Sequence, residues 1–594
     1  MSTHTSTHIK RDRGYPSFAL GVVLAALVGI SGGLGAVFFR WLIISLQNVF
    51  FTGGAAVLPG LGRYYIILVP AAGGILVGLL ITFGASEAKG HGVPEVMYAM
   101  AEKGGRIRPR VVAVKTLASA LCMGSGGSVG REGPIVQIGS AIGSSIGQLC
   151  RLPTAWVRTL VGCGAAAGIA ATFNAPLGGV FFTMELLMPA FASCGLHFIV
   201  ISSIAGNLTA NLFFGSVPAF DVVHLYALNG IAEIPFYIVL GIVTGLAGTG
   251  FIKLIHLSED AFESMKKVPE WIKPALGGIL VGCIGLYSMD LLGVGYGVTP
   301  WKGLMSMDEM FRGTVPLVSL LLLLLLKMTA TSLTIGSGGS GGVFAPSLFL
   351  GAAMGGIVGL LASRVVPTAG GGAFAVVGAA AFFAAVSRAP ITSVIMILEL
   401  TRNYKLVVPV ILAVLISTSV LKALSRETIY TEKLMRRGID LVRRARGGLI
   451  GGISLATLMS RRFPRVSPDT TIEEALAVIK HRRNHGLPVV DAKGELLGIV
   501  ALADILRSEE EGIPKMTPVT GICTPFEKLI LAYPDQTLVE LMSRVVGKDI
   551  GQVPVVDPFH ERTIVGLMTK KHLVRAWSMA FSHGEHSILG GRSI

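Results

Sequence analysis

Residues 115–139 read "KTLASALCMGSGGSVGREGPIVQIG", and residues 327–351 read "KMTATSLTIGSGGSGGVFAPSLFLG", in register 212 positions apart. Lys115 meets Lys327, Gly124 to Ser128 meet Gly336 to Ser340, Gly130 meets Gly342 and Pro134 meets Pro346. Further on, "GAAAGIAATFNAPLGGVFFTMEL" from 164 matches "GAAAFFAAVSRAPITSVIMILEL" from 378 at an offset of 214, pairing Pro176 with Pro390 and Glu185 with Glu399. Glycine-rich stretches resemble one another by chance, but matched lysines, prolines and glutamates do not. This part of the chain is a duplication.

Its medium follows from composition. Only 14% of the 594 residues are charged, where a soluble domain averages about 25%. Apolar runs recur from "FALGVVLAALVGISGGLGAVFF" (18–39) and "YYIILVPAAGGILVGLLITF" (65–84) to "LVSLLLLLLLKMTATSLTI" (317–335) and "LVVPVILAVLISTSVLKAL" (406–424). These read as membrane spans. The first follows a basic leader without a convincing cleavage site, and is expected to be a retained helix.

Duplicated membrane halves broken at matching glycines and prolines mark a transport protein with a site near the bilayer midplane. Glycine and proline cost a helix about 1 and 3 kcal/mol, so helices are expected to stop and restart at them. Irregular backbone at that depth must be buried in protein or line a wet cavity. Each restarting helix offers unpaired N–H groups and the positive end of its dipole, a place for an anion. The candidate segments are "GHGVPEV" (90–96), "GSGGSVGREGP" (124–134), "GSGGSGGVFAP" (336–346) and the approach to Tyr430. Among them Glu132 is an anion on a tether, able to occupy the place of a mobile one and to leave it when displaced or protonated.

Several function classes are excluded. No Lys-Ser/Thr pair follows the glycines, so they are not a P-loop. A serine hydrolase needs a histidine base near Ser125 or Ser337, and His91 is the nearest; no enzyme and no required cofactor is expected. Six scattered cysteines suggest neither disulfides nor zinc. The net charge of +15 is concentrated in the leader and in "EKLMRRGIDLVRRARGG" (432–448). It fits the positive-inside rule, with both termini cytoplasmic, better than nucleic-acid binding.

Beyond about residue 446 the composition becomes that of a soluble α/β module. "GLPVVDAKGELLGIVALADIL" (486–506) is echoed by "GQVPVVDPFHERTIVGLMTKKHL" (551–573), with the PVVD of each copy 66 positions apart. These units resemble a pair of CBS domains. The expected organisation is a cytoplasmic segment 1–15, an all-α polytopic membrane domain 16–445, and a cytoplasmic CBS pair 446–594, with units at about 453–510 and 517–580.

The membrane part resembles the CLC family of chloride channels and transporters. "GREGP" (130–134), "FNAPLGGVFFTME" (173–185), "GSGGSGGVFAP" (336–346) and the tyrosine of "IYTEKL" stand in family order. The resemblance implies an inverted repeat of broken helices and a homodimer in a lipid bilayer, multi-pass in the cell membrane, with chloride as the transported ion. It implies that Glu132 is the gating and proton-accepting group, that Val343 and Phe344 offer backbone N–H groups to the anion, and that Tyr430 offers its hydroxyl. Two departures stand out. His91 takes the place of the family's usual serine, which leads us to expect pH-sensitive anion occupancy and admits selectivity for nitrate or, less readily, fluoride. Leu186 occupies the position where proton-coupled members carry an inner glutamate. That favours a voltage- or pH-gated chloride channel, with a chloride/proton antiporter as the alternative. In the CBS pair, Asp504 and Thr569 are the family-like contacts for ATP, ADP or AMP, but each copy lacks the other's residue, so regulation by nucleotide stands beside a purely structural role.

Overall fold

The computed structural model describes residues 17–57, 59–188, 195–216, 220, 226–296, 305–425, 427–436, 454–482, 485–534, 536–545, 551–557, 562–569 and 571–572. Two compact units divide the chain, Met1–Ile439 and Asp440–Ile594. The 1–15 segment, Cys194, most of the basic run 432–448 and the expected boundary at 446 lie outside the described residues.

In the first unit all the described regular elements are helical. Among the described residues, eight helices are long and apolar enough to cross a membrane, including Thr154–Phe173, Phe344–Ala362 and the expected runs near 18, 65, 317 and 406. The first shows how such a helix divides its surface. Leu24, Ala25, Val28 and Ala36 are buried, while Leu20, Val23, Leu27, Ile30 and Leu34 remain exposed as an apolar face for lipid. Pro176–Phe182 and Pro390–Thr401 are too short to span the roughly 30 Å hydrocarbon layer.

The duplication is a physical symmetry. Helix Glu132–Leu149 lies on Thr154–Phe173 through Gly139 and Gly164; a Cβ on either would fall 2.1 or 1.9 Å from the other's carbonyl oxygen. Their repeat mates Gly351 and Gly378 join Phe344–Ala362 to Gly371–Ser387 in the same way, at 2.2 and 2.3 Å. Helices Tyr65–Phe83 and Lys273–Gly285 reciprocate too: Gly74 sits on the Pro274 carbonyl and Gly278 on the Pro70 carbonyl. The halves join where the mates Gly130 and Gly342 exchange N–H···O bonds of 2.7 and 2.6 Å as an antiparallel bridge.

Buried polar groups follow the same rule. Ser128 pairs with Thr331 at 3.3 Å, and Ser340 pairs with Ser119 at 2.8 Å, each bond being the other's mate. Glu185 accepts from the N–H of Ile391, the N–H of Thr392 and the Thr392 hydroxyl. Glu399 accepts from the N–H groups of Leu177 and Gly178. Each acid thus caps the helix that follows the other half's Ala-Pro break, satisfying donors that have no partner within the helix. Replacing either by alanine should lower stability by about 1.5–3 kcal/mol, the usual worth of a hydrogen bond to a charged group. Comparing thermal midpoints of Glu185→Ala and Glu399→Ala with the parent in detergent checks this, and a shift in one variant alone would contradict the reciprocity.

The second unit contains two β-hairpins. Strand Gly486–Val490 pairs antiparallel with Leu496–Ala501, which also pairs with Thr524–Pro525. Strand Gln552–Val556 pairs antiparallel with Ile564–Thr569. Pro488 faces Ile499 and Pro554 faces Leu567, the same register in both copies. The apolar core around Leu487, Val489 and Val500 includes Ile472, Ala475 and Ile505. Leu455 and Leu458, near the start of the first copy, pack instead with Leu538, Leu541, Val553 and Val555 of the second.

Candidate anion pathway

Glu132 is the first residue of the helix Glu132–Leu149 and is 1% exposed. The helix restarts there because the glycine-rich turn cannot continue it: Gly126 and its mate Gly338 have φ of 98° and 103°, which a side chain would strain. The carboxylate reaches across the junction of the halves. Oε2 lies 3.4 Å from the N–H of Ala345, and Oε1 accepts a 2.8 Å hydrogen bond from the Tyr296 hydroxyl. Ala345 is the second residue of the helix Phe344–Ala362, and Val343 is its N-cap. Glu132 therefore occupies the positive end of a helix whose first N–H groups have no partner within it.

The other predicted residues gather around this point. The Phe344 ring packs on Phe173 and Phe383, at 5.2 and 4.4 Å between centroids. Tyr430 is buried and within electrostatic reach of Glu132. The His91 loop is laid against the same junction: Gly90 donates to the Gly339 carbonyl at 3.0 Å, and Gly133 approaches the His91 carbonyl so closely that a Cβ there would fall 2.1 Å from it. The His91 side chain is 1% exposed, and neither ring nitrogen has a hydrogen-bond partner among the described residues. Buried polar groups of this kind are as a rule hydrogen-bonded. Leu186 lies buried in the π-helical turn Thr183–Leu187. Asp504 and Thr569 belong to the second unit, where Asp504 accepts from the Ala501 N–H at 2.9 Å and Thr569 bonds His572 Nδ1.

Three features escape the sequence. Tyr296 is one, since no motif marks it. The placement of the Arg131 side chain is another, since the GREGP motif leads us to expect only its backbone and a local field: its guanidinium lies over the rings of Tyr296 and Phe173, 5.1 and 5.9 Å from their centroids. The third is what the paired lysines do. Both are fully buried and donate to loop carbonyls, Lys115 to Ala88 and Gly90 at 2.9 and 2.8 Å, Lys327 to Leu291 and Gly293 at 3.1 and 3.2 Å. The matched lysines were the available signal.

A duplicated bundle of membrane helices, broken at its centre with helix N-termini and an acid facing one another, defines a membrane transport protein. Residues 73–422 match the family model for voltage-gated chloride channels, and 455–511 and 519–578 match that for CBS domains. The chain belongs to the CLC chloride channel and transporter family and carries two CBS domains. It is 33% identical to a ClcB-like chloride channel protein of Ralstonia nicotianae over 71% of this chain and 98% of that one. It is 32% identical to the H(+)/Cl(−) exchange transporter ClcA of Vibrio parahaemolyticus over 72% and 93%. The crystal structure of a slow cyanobacterial Cl−/H+ antiporter aligns with a TM-score of 0.62 at 25% identity, covering 70% of this chain and 97% of that one. A eukaryotic CLC transporter, at 21% identity and a TM-score of 0.61, shares the fold over 93% and 98%.

Proposed function

We propose that this protein is a homodimeric chloride/proton antiporter of the cell membrane, with both termini cytoplasmic, in which Glu132 alternates between blocking the anion path and carrying a proton. The observation that carries this reading is the Glu132 carboxylate at the N-terminus of helix Phe344–Ala362. An anion arriving there competes with the carboxylate for the same N–H groups, and protonation removes the charge that those groups hold. Displacing the acid with chloride and discharging it with a proton are then two halves of one cycle. Partial charges from helix ends replace some of the anion's hydration without a well too deep to leave. Val343 and Phe344 supply the N–H groups, Tyr430 a hydroxyl, and His91 a ring N–H in place of a serine.

Relatives that are named exchangers support antiport over the passive conduction that Leu186 suggests. With leucine at 186, the proton reaches Glu132 without a carboxyl at that position. Passive conduction is the second reading, favoured by Leu186 itself and by the name of the Ralstonia relative. In liposomes holding a chloride gradient, the reversal potential should shift when a pH gradient is imposed; a potential that follows chloride alone identifies a channel. Repeating the measurement in nitrate addresses the selectivity question that His91 raises. The CBS pair is the regulatory module, and its reading as an adenine-nucleotide site rests on Asp504 and Thr569, one from each copy, with Ala501 and His572 in the complementary positions.

A further inference from the structure

The loop carrying His91 has a structural mate that shares little sequence with it. Gly90 and Gly92 have φ of 79° and 83°; Gly293 and Gly295 have φ of 60° and 85°. Lys115 bonds the carbonyls of Ala88 and Gly90, and its mate Lys327 bonds those of Leu291 and Gly293. The two halves therefore present equivalent lysine-braced glycine loops to the centre. One carries His91, whose ring nitrogens have no hydrogen-bond partner among the described residues, and the other carries Tyr296, whose hydroxyl bonds Glu132.

Tyr296 is 6% exposed and held on several sides. Phe220 meets its ring edge-on at 5.1 Å, and the Arg131 guanidinium covers its face. The backbone behind it is fixed by Lys327, whose ammonium also lies 5.1 Å from the centroid of Phe349. A hydroxyl held this firmly is pre-organised, so its bond to the carboxylate carries little ordering cost.

We propose that Tyr296 is a positioning residue that latches the Glu132 carboxylate in the anion path, and that Lys327 sets the latch by bracing the loop that bears it. This rests on the reading of Glu132 as the gate. The latch works in one direction only: a phenol donates to a carboxylate, and the bond weakens when the acid is protonated or an anion displaces it. Turnover then depends on how readily Glu132 lets go. The groups facing the carboxylate are Arg131 from its own helix boundary, Tyr296, the Ala345 N–H and Tyr430, with Arg40 within electrostatic reach of Arg131 and Tyr296.

Tyr296→Phe keeps the ring and deletes the donor. Chloride flux of the full-length protein in liposomes, measured from acidic to neutral pH, should rise about tenfold near neutrality, the lower range for one hydrogen bond to a charged group, and vary less with pH. Lys327→Met should change the flux in the same direction and add nothing to Tyr296→Phe when the two are combined. In a Glu132→Ala background Tyr296→Phe should have no effect, because the latch then has nothing to hold. A parental flux and pH profile in Tyr296→Phe, or an equal fold-change with and without Glu132, overturns the latch. If Glu132→Ala changes flux and Tyr296→Phe does not, the latch alone fails; if Glu132→Ala changes nothing, gate and latch fall together.

Discussion

Glu132→Gln should move chloride freely and carry no protons. The amide keeps the size of the carboxylate, but its one oxygen can serve only one of the two donors, the Tyr296 hydroxyl now 2.8 Å from Oε1 or the Ala345 N–H now 3.4 Å from Oε2, and its NH2 takes the other position. It holds no charge and takes up no proton. Antiport requires that one group be seen by both ions, and in the proposed cycle that group is Glu132, whose Oε2 lies 3.4 Å from the Ala345 N–H at the start of helix Phe344–Ala362. In liposomes with an imposed pH gradient, the parent should accumulate chloride against its own gradient. Each pH unit supplies about 1.4 kcal/mol per proton, a tenfold factor in an equilibrium ratio. The glutamine variant should dissipate a chloride gradient and build none, and its flux should stay level where the parent's changes with pH. Chloride accumulation by Glu132→Gln would remove this residue from the coupling step and leave the helix ends as a binding site only.

Much of this centre is legible in the sequence because breaking a helix inside a membrane demands residues that stand out there. Glycine, proline and a solitary glutamate are conspicuous among leucines and valines, and the 212-residue offset brings Gly130 onto Gly342, residues that bond each other in the fold. The offset does not say that mates touch; that follows from a symmetry axis passing between them. Tyr296 stays hidden for a different reason. Its loop and the His91 loop share only glycines with positive φ and a lysine-bonded backbone, and backbone conformation leaves little trace in side-chain identity. The paired lysines invite a reading as anion attractors, yet carbonyl oxygens of irregular loops also need donors where water is absent. Leu186 is buried where the resemblance implies an inner glutamate in proton-coupled members. What a single substitution cannot decide is whether coupling survives it, and here the named exchangers carry more weight than the leucine.

Sequence also fails to separate glycines that break helices from glycines that let helices touch, and the second kind carries the other large prediction. Gly139→Ala and Gly351→Ala should each prevent assembly of a dispersed, extractable protein. A methyl on Gly139 would fall 2.1 Å from the Gly164 carbonyl oxygen, and one on Gly351 would fall 2.2 Å from that of Gly378. The obstacle is backbone on a neighbouring helix, so no rotamer change relieves it, and the helices must separate. Overpacking that side chains can absorb already costs about 1–3 kcal/mol, and here two buried helices in one half would have to move. Their separation would also disturb the site, because Glu132 and Phe344 begin the two helices concerned. Gly250→Ala is the matched comparison: it lies within helix Ile234–Ser264 and its added methyl meets nothing within 4 Å. That variant should assemble normally, and should melt slightly higher by the roughly 1 kcal/mol that alanine gains over glycine in a helix. Size-exclusion profiles and melting curves of the three proteins in one detergent test the contrast. A normal profile for Gly139→Ala would mean that the contact yields, and that the repeated glycines do not hold the paired helices within each half at their observed separation.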